Sequence, residues 1–354
     1  MNKYKEVYIL GIGGSGMSSI AKYLVQQNID VAGYDQRKSF ITNQLNQDGI
    51  KVDFNLSNLK YSKKILYIYS SAISINETTL KDYLDSDNVL SRPEFLNILS
   101  KENKIIGITG THGKTSTTAL LAHIFHYNER NVSYIFGGIT SFHGIGGHYG
   151  DHDQPIILET DEAFNTFKDI DIDDLLVTNI DIDHLDYFKN FKNLLEAFKH
   201  VIQNVKGNLV LNFDDQNLRE LKTSNNCISY SSSEIADIQI QYPNKIIIEN
   251  EEYVVTTKLI GNHFISNIAG AIALAYLNGI KIEDSIEAVE TFPGVKRRTE
   301  YLGSIKGVKL YDDYGHHPVE INSALAAARL LAPKNKIIAI VIGYEGFTSF
   351  FSVR

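Results

Sequence analysis

The sequence predicts an α/β protein built on parallel sheets, with two such units and a partial third. Three observations carry this expectation. Short apolar runs rich in β-formers alternate with helical patterns from residue 6 to beyond residue 200. Glycine-rich turns stand at two strand-to-helix junctions, Gly11–Gly16 and Gly110–Gly113. The 354 residues are 43% hydrophobic, enough to bury two or three cores. The run of strand and helix patterns places soft boundaries near residues 100 and 298, giving expected domains at 1–99, 100–298 and 299–354.

In the first unit, Glu6–Leu10 and Asp30–Tyr34 read as strands and Ser15–Gln27 between them as a helix. Lys64–Tyr69 is a further strand and Arg92–Leu99 a helix. The second unit opens with the strand Lys104–Ile108 and the helix Thr115–Asn128. Leu120, Leu121, Ile124 and Phe125 of that helix share one face at helical spacing. The glycine-rich stretch Ser141–Gln154, with His143, His148 and His152, reads as a flexible surface loop rather than a metal site. Strands follow at Pro155–Glu159, Leu175–Asn179 and Asn208–Asn212, with a helix near Leu194–Val205. Lys245–Ile248 and Tyr253–Thr257 form a β-pair around the turn Glu249–Glu252, and Ser266–Leu277 is an alanine-rich helix. Past Arg298 come a hairpin-like strand region, the turn Asp312–Pro318, a helix near Val319–Leu331 and the strand Ile337–Ile342. Together these make about one β-α-β step.

Composition narrows the function. With 34 basic against 42 acidic residues, a broad nucleic-acid-binding surface is disfavoured. The single cysteine, Cys227, excludes an intramolecular disulfide and a cysteine zinc cluster. No apolar run approaches the ~18 residues of a membrane span. The start Met1–Glu6 runs straight into a strand and a glycine turn, leaving no apolar region for a secretory signal. A cytoplasmic protein is expected.

Gly11-Ile12-Gly13-Gly14-Ser15-Gly16 matches G-x-G-x-x-G between a strand and a helix, and Asp35 ends the next strand. Such glycines let the backbone approach a diphosphate whose charge rests on the helix N-terminus. Alone, this says dinucleotide site, with Asp35 on a ribose. The turn Gly110-Thr111-His112-Gly113-Lys114-Thr115 is the stronger signal. Its backbone can cradle phosphates, Lys114 can reach β/γ oxygens and the Thr115 hydroxyl can ligate Mg²⁺. Ile108 stands where the full phosphate-loop pattern wants glycine. As a loop residue, Lys114 is expected to matter far more for phosphate than for folding. Two acidic stretches, Glu159–Glu162 and Asp181–Asp186 with His184, follow strands where α/β proteins place ligands. A calcium loop from Asp169 fails, since its sixth residue is Asp174 and its twelfth Ile180.

Taken together, these motifs resemble the Mur ligase family, the ATP-dependent amide-forming enzymes of peptidoglycan precursor synthesis. The matching segments are Gly11–Ser18, Ser70–Ile73, Gly110–Ser116, Thr178–Ile180 before Asp183–Asp186, Gly261-x-His263 with Asn267, Gly294–Arg298 and Asp312–Pro318. Within the family, the branch that joins L-alanine to UDP-N-acetylmuramate is nearest, and the tripeptide-recycling branch shares much of the pattern. An NAD-dependent oxidoreductase is the alternative of another class, and it leaves Gly110–Thr115 without a role.

The resemblance implies a Rossmann-like N-terminal domain for the UDP-sugar, a P-loop-type central ATPase domain and a C-terminal Rossmann-like domain. It implies sugar-nucleotide contacts from Gly11, Gly13, Gly14, Ser15, Gly16, Met17, Asp35 and Ser71. ATP would lie on Gly110, Thr111, His112, Gly113, Lys114, Thr115, Ser116 and Asn179, with Asn267 at the adenine and His263 beside it. Thr115 and Glu159 would hold one Mg²⁺ and His184 a second. Arg298 and Asp313 would complete the nucleotide site, and His316 would approach the reacting end of the sugar nucleotide. The chain departs from the family pattern at Ala163 and Phe164, where the acidic motif loses its last acid, and at Phe264, where asparagine is usual. Gly343–Phe351 does not match the family's later arginine-bearing segment. A short third domain and a poor or inactive ligase are therefore expected.

Overall fold

The computed structural model describes residues 4–141, 144–221, 226–342 and 348–353. Strand β1 (Glu6–Leu10) leads through the glycine turn into α1 (Ser15–Val25), followed by β2 (Asp30–Tyr34), α2 (Phe40–Gln47) and β3 (Lys51–Asp53). After β4 (Ile65–Tyr69) and β5 (Val89–Ser91), helix α3 (Arg92–Glu102) closes this unit. The sheet order is β3-β2-β1-β4-β5, with every pair parallel. Chain order reverses on either side of β1, so the crevice for a ligand opens at Gly11–Gly16. The short strands β3 and β5 and helix α2 carry too little periodicity to be read from sequence. Helix α2 is set locally, by a capping box between Ser39 and Thr42.

The second unit begins with β6 (Ile105–Thr109), α4 (Lys114–Tyr127), β7 (Ser133–Thr140), β8 (Gly144–His148), β9 (Ile156–Glu159) and β10 (Asp174–Val177). It continues with α5 (Leu185–Phe188), α6 (Phe191–Gln203), β11 (Leu209–Asn212), α7 (Gln216–Glu220), β12 (Cys227–Ser231) and β13 (Ile238–Gln241). Strands β14 (Lys245–Ile248) and β15 (Glu251–Val254) and helices α8 (Asn262–Leu277) and α9 (Ile282–Thr291) complete it. The ten-stranded order is β15-β14-β13-β12-β11-β10-β6-β9-β7-β8, parallel in the middle and antiparallel at both ends. Here β6 is flanked by β10 and β9, which puts a second switch point at Gly110–Gly113. Ile106, Ile108, Leu120, Ile124, Ile268 and Ala271 pack between the sheet and helices α4 and α8. The opposite face shares one continuous core with the first unit, from Ile9 and Leu24 through Ile145 and Leu158 to Phe198.

Two sequence expectations need correction here. The stretch Ser141–Gln154 is not a free loop: Gly144–His148 forms edge strand β8 against β7, while His143 lies outside the described residues. Its glycines serve close packing. A Cβ on Gly147 would lie 2.0 Å from the carbonyl oxygen of Ser19, so helix α1 of the first unit seats directly on this hairpin. The Ser19 hydroxyl donates to the Phe136 carbonyl at 2.7 Å across the same seam. The second correction is the β14–β15 turn. Glu249 and Asn250 both take positive φ (52° and 69°), a two-residue turn that starts β15 at Glu251.

The last segment holds β16 (Glu300–Ile305), β17 (Val308–Asp312), α10 (Pro318–Leu331), β18 (Ile337–Ile342) and β19 (Thr348–Val353). β16 and β17 pair as one hairpin and β18 pairs antiparallel with β19. Among the described residues β18 does not join β17, so the expected β-α-β step is not formed. Residues 343–347 of the segment that departs from the family pattern lie outside the described residues, as do Met1–Lys3. No helix among the described residues is long and apolar enough to cross a membrane.

Candidate active site at two converging anion loops

The first loop leaves β1 with Gly11 at φ +77° and enters α1 through Gly14 as N-cap, without a side-chain cap. First-turn N–H groups have no helical acceptor, so those of Ser15, Gly16 and Met17 suit an anion. The side chain of Met17 is buried in the core, which leaves only its backbone for a ligand. Asp35 accepts from the Gly13 N–H at 2.8 Å and from the Arg37 N–H at 3.2 Å, bracing the loop. The turn beginning at Ser70 packs on Gly11, whose Cβ position lies 3.0 Å from the Ser70 Cβ. Ser71 beside it is exposed.

The second loop is shaped by its neighbour strand. Gly110 at φ +132° has no room for a side chain, since a Cβ would sit 2.1 Å from the Thr178 hydroxyl. Asn179 accepts from the His112 N–H at 2.8 Å and donates to the His112 carbonyl at 3.0 Å. Its own carbonyl accepts from the Thr111 N–H at 3.0 Å. Gly113 at φ +83° caps α4 and sits against the amide of Asn267. Ser116 is buried in the first turn of α4. His263 stacks on Phe264 with ring centroids 4.2 Å apart, and burial pushes its pKa down.

The acidic groups meet at this loop. The Thr115 hydroxyl donates to one oxygen of Glu159 at 2.9 Å, and the Gly137 N–H donates to the other at 2.6 Å. A hydroxyl and a carboxylate in this contact fit the oxygen preference of Mg²⁺. Lys114 is largely buried and donates to Glu162 at 2.8 and 3.0 Å and to the Gly110 carbonyl at 2.6 Å. Burial pushes Glu162 up to about 7 against the pull of Lys114. Asp161 is held below the usual carboxylate range: burial opposes its charge, but Lys114 and then Arg92 outweigh it. Asp161, Glu162 and His184 each bring one ligand atom within 4.8 Å of the others, a donor set for a second divalent ion.

The last segment reaches the site through α10. His112 contacts Asp181 at 3.1 Å through Nε2 and Glu320 at 3.3 Å through Nδ1. Those two carboxylates outweigh burial and raise its pKa. Burial would raise Glu320, yet its bonds to His112 and the His316 N–H, with Arg298 nearby, bring it down to about 2. Arg298 stands 4.0 Å from Glu320 and over the Tyr314 ring. Asp313 accepts from the Thr299 N–H at 2.7 Å and the Gly315 N–H at 2.8 Å, organising the turn. His316 is half-exposed. Its neighbour His317 stacks toward His112 with centroids 4.7 Å apart.

Sequence reading missed Arg92, Glu162, Asp181, His317 and Glu320 as members of this site. Glu162 and Asp181 stood within motifs already noticed. Arg92 carried one usable signal: it follows directly on the C-terminal end of a parallel strand. His317 stood within the motif Asp312–Pro318, while Glu320 carried none, because only the docking of α10 brings it to His112.

The two loops also converge on one residue. A Cβ on Gly137 would lie 3.3 Å from the Ser15 hydroxyl and 3.6 Å from Glu159. The first loop therefore ends beside the acid of the second.

Comparison with known proteins places this geometry. The Mur ligase family, catalytic domain, matches residues 6–104; the Mur ligase middle domain matches 108–275; and the Mur ligase, glutamate ligase domain, matches 297–346. The UDP-N-acetylmuramate–L-alanine ligase of Cytophaga hutchinsonii is 30% identical over 94% of this chain and 76% of its own. That of Brucella anthropi is 33% identical over 95% and 75%. Among solved structures, the UDP-N-acetylmuramate-alanine ligase of Thermotoga maritima superposes with a TM-score of 0.82 at 24% identity, covering 94% of this chain and 79% of that one. The UDP-N-acetylmuramate:L-alanyl-gamma-D-glutamyl-meso-diaminopimelate ligase of Neisseria meningitides gives 0.73 at 22%, covering 83% and 100%.

Proposed function

The chain belongs to the Mur ligase family, and on that premise we propose that it joins L-alanine to UDP-N-acetylmuramate at the expense of ATP. Relatives bearing that name, 30–33% identical over nearly the whole chain, support the choice of substrates. The observation that carries the reading is the convergence of both anion loops on Gly137. A sugar nucleotide on the first loop and a triphosphate on the second would bring their reacting ends together. A dehydrogenase would use the first loop and leave Lys114, Thr115 and Glu159 idle.

In this reading a muramoyl carboxylate oxygen attacks the γ-phosphorus of ATP, and the bond to the ADP oxygen breaks. The amine of L-alanine then attacks the carbonyl carbon of the acyl phosphate, and inorganic phosphate departs with the C–O bonding pair. A carboxylate is a poor electrophile until its oxygen becomes a good leaving group. Two anions must also be held at contact, so positioning and charge neutralisation carry most of the catalysis. Lys114 supplies the charge nearest the phosphates, and the Gly110–Gly113 backbone holds their orientation. Thr115 and Glu159 would hold one Mg²⁺, and His184 with Asp161 and Glu162 a second. Bound there, the ions would neutralise phosphate charge. Arg298 and Asp313 would close the nucleotide site from the last segment, in the cytoplasm where ATP is supplied.

Thermal-shift titration with UDP-N-acetylmuramate and with NAD at matched concentration tests the reading, since a ligand of the native state raises Tm with its concentration over Kd. The sugar nucleotide is expected to stabilise more. A larger shift with NAD would overturn it. Phosphate release with L-alanine against the tripeptide separates the two branches.

A further inference from the structure

We propose that His112, Asp181 and His317 form a zinc site, separate from the two Mg²⁺ sets, and that the bound ion staples the last segment to the phosphate loop. One ligand atom from each lies within 4.8 Å of the other two. They come from three distant places in the chain: the loop after β6, the segment after β10 and the N-cap of α10. His112 Nε2 stands 3.1 Å from Asp181 Oδ2, and His317 Nδ1 stands 4.0 Å from the same oxygen. Tetrahedral zinc with bonds of about 2.0–2.2 Å sets its ligand atoms about 3.3 Å apart, a separation between those two distances.

The ligands are already oriented. Asp181 commits Oδ1 to the Ile182 N–H at 2.7 Å, which leaves Oδ2 facing the two rings. Its own N–H donates to the Thr111 hydroxyl at 2.9 Å, and Asn179 fixes the His112 N–H. Nδ1 of His112 faces Glu320 Oε1 at 3.3 Å. A metal-bound imidazole ordinarily has such an outer carboxylate, which accepts from Nδ1–H and leaves the Nε2 lone pair to the ion. The ring of His317 accepts from the Val319 N–H at 3.4 Å, a long bond that coordination can replace. Two imidazoles and one carboxylate suit zinc. Asp161, Glu162 and His184 offer the reverse ratio, closer to the oxygen preference of Mg²⁺. Among the described residues Asp181 pairs with these two histidines and with no lysine or arginine. A divalent ion would replace the proton shared by His112 and Asp181, adding positive charge where two carboxylates already gather.

Calorimetric titration of zinc chloride into the whole metal-free chain, without nucleotide or phosphate, tests the site. Variants are His317→Asn, Asp181→Asn, Glu320→Gln and His184→Ala, with circular dichroism of each reporting the fold. Asparagine still caps a helix, so His317→Asn removes a ligand and spares α10. Wild type is expected to bind one zinc with micromolar affinity or better. His317→Asn and Asp181→Asn should weaken it by roughly 100-fold or more, and Glu320→Gln by roughly 10-fold, as for an outer partner. His184→Ala should bind zinc as wild type does. Hydrogen exchange across Pro318–Leu331 should slow on adding zinc to wild type and stay unchanged in His317→Asn. A wild type without tight zinc, or tight zinc that His317→Asn retains, overturns the site. Loss in His184→Ala assigns the ion to the neighbouring set and overturns it equally. Zinc bound as expected, with no added protection of α10, overturns the staple.

Discussion

The Lys114 ammonium lies 2.8 Å from a Glu162 carboxylate that is itself only 1% exposed. The lysine proposed to meet phosphate is therefore already engaged inside the protein, and on that proposal nucleotide binding would exchange one ion pair for another. Glu162→Gln leaves a largely buried cation with Asp161 at 3.9 Å as its nearest remaining acid. A loss of about 3 kcal/mol in stability is expected. Denaturant unfolding with and without Mg·ATP checks this, because bound phosphate should recover part of the loss. An equal loss in both conditions would count against it.

Lys114→Ala follows from the same pair, and the structure revises what the loop position suggested. The substitution strands Glu162 in a buried site, so folding suffers as well as binding. Mg·ATP affinity should fall by about 100-fold or more, while stability falls less at pH 6 than at pH 8, since Glu162 can take a proton near 7. Calorimetric binding beside denaturant melts at the two pH values reads both effects. Wild-type affinity in the variant would remove Lys114 from the phosphate site.

Docking of α10 on the phosphate loop should depend on pH through His112 and Glu320. Glu320 is lowered from an ordinary 4.5 to about 2, so its contribution is present above 4.5 and fades as pH falls toward 2. His112 is raised above 6.5, so its contribution is complete below 6.5 and fades as pH rises through the raised value. The contact is strongest between those limits. Hydrogen exchange across Pro318–Leu331, corrected for intrinsic rates, should show greatest protection near pH 5–6. Glu320→Gln should flatten that profile, and an unaltered profile would disprove the link.

Gly147→Ala tests the seam between the two sheets. Its Cβ would enter the Ser19 carbonyl oxygen at 2.0 Å, and backbone cannot swing aside as a side-chain tip can. About 2–3 kcal/mol of destabilisation is expected, measured by urea unfolding. A neutral effect would mean that α1 is free to lift from β8.

Local chemistry made much of this protein readable without coordinates. Strand ends, the glycines at positive φ and the two switch-point loops all follow from patterns within a few residues. Gly110 and Gly113 announce their loop because only glycine tolerates those backbone angles. The family resemblance, not local pattern, implied Thr115 and Glu159 at one ion, and the structure puts the two in a 2.9 Å hydrogen bond. What lay out of reach depends on distances along the chain that no local pattern encodes. The glycines of β8 look like a loop until α1 is set on them. Lys114 looks free until Glu162 folds beneath it. Arg92 and Gly16 are far apart in sequence, as are His112 and Glu320, and their contacts exist because separate elements pack on one another. Sequence by itself determined which turns can receive phosphate. Tertiary packing decided which charges surround them, since Coulombic partners are set by position in space and burial decides how strongly they act.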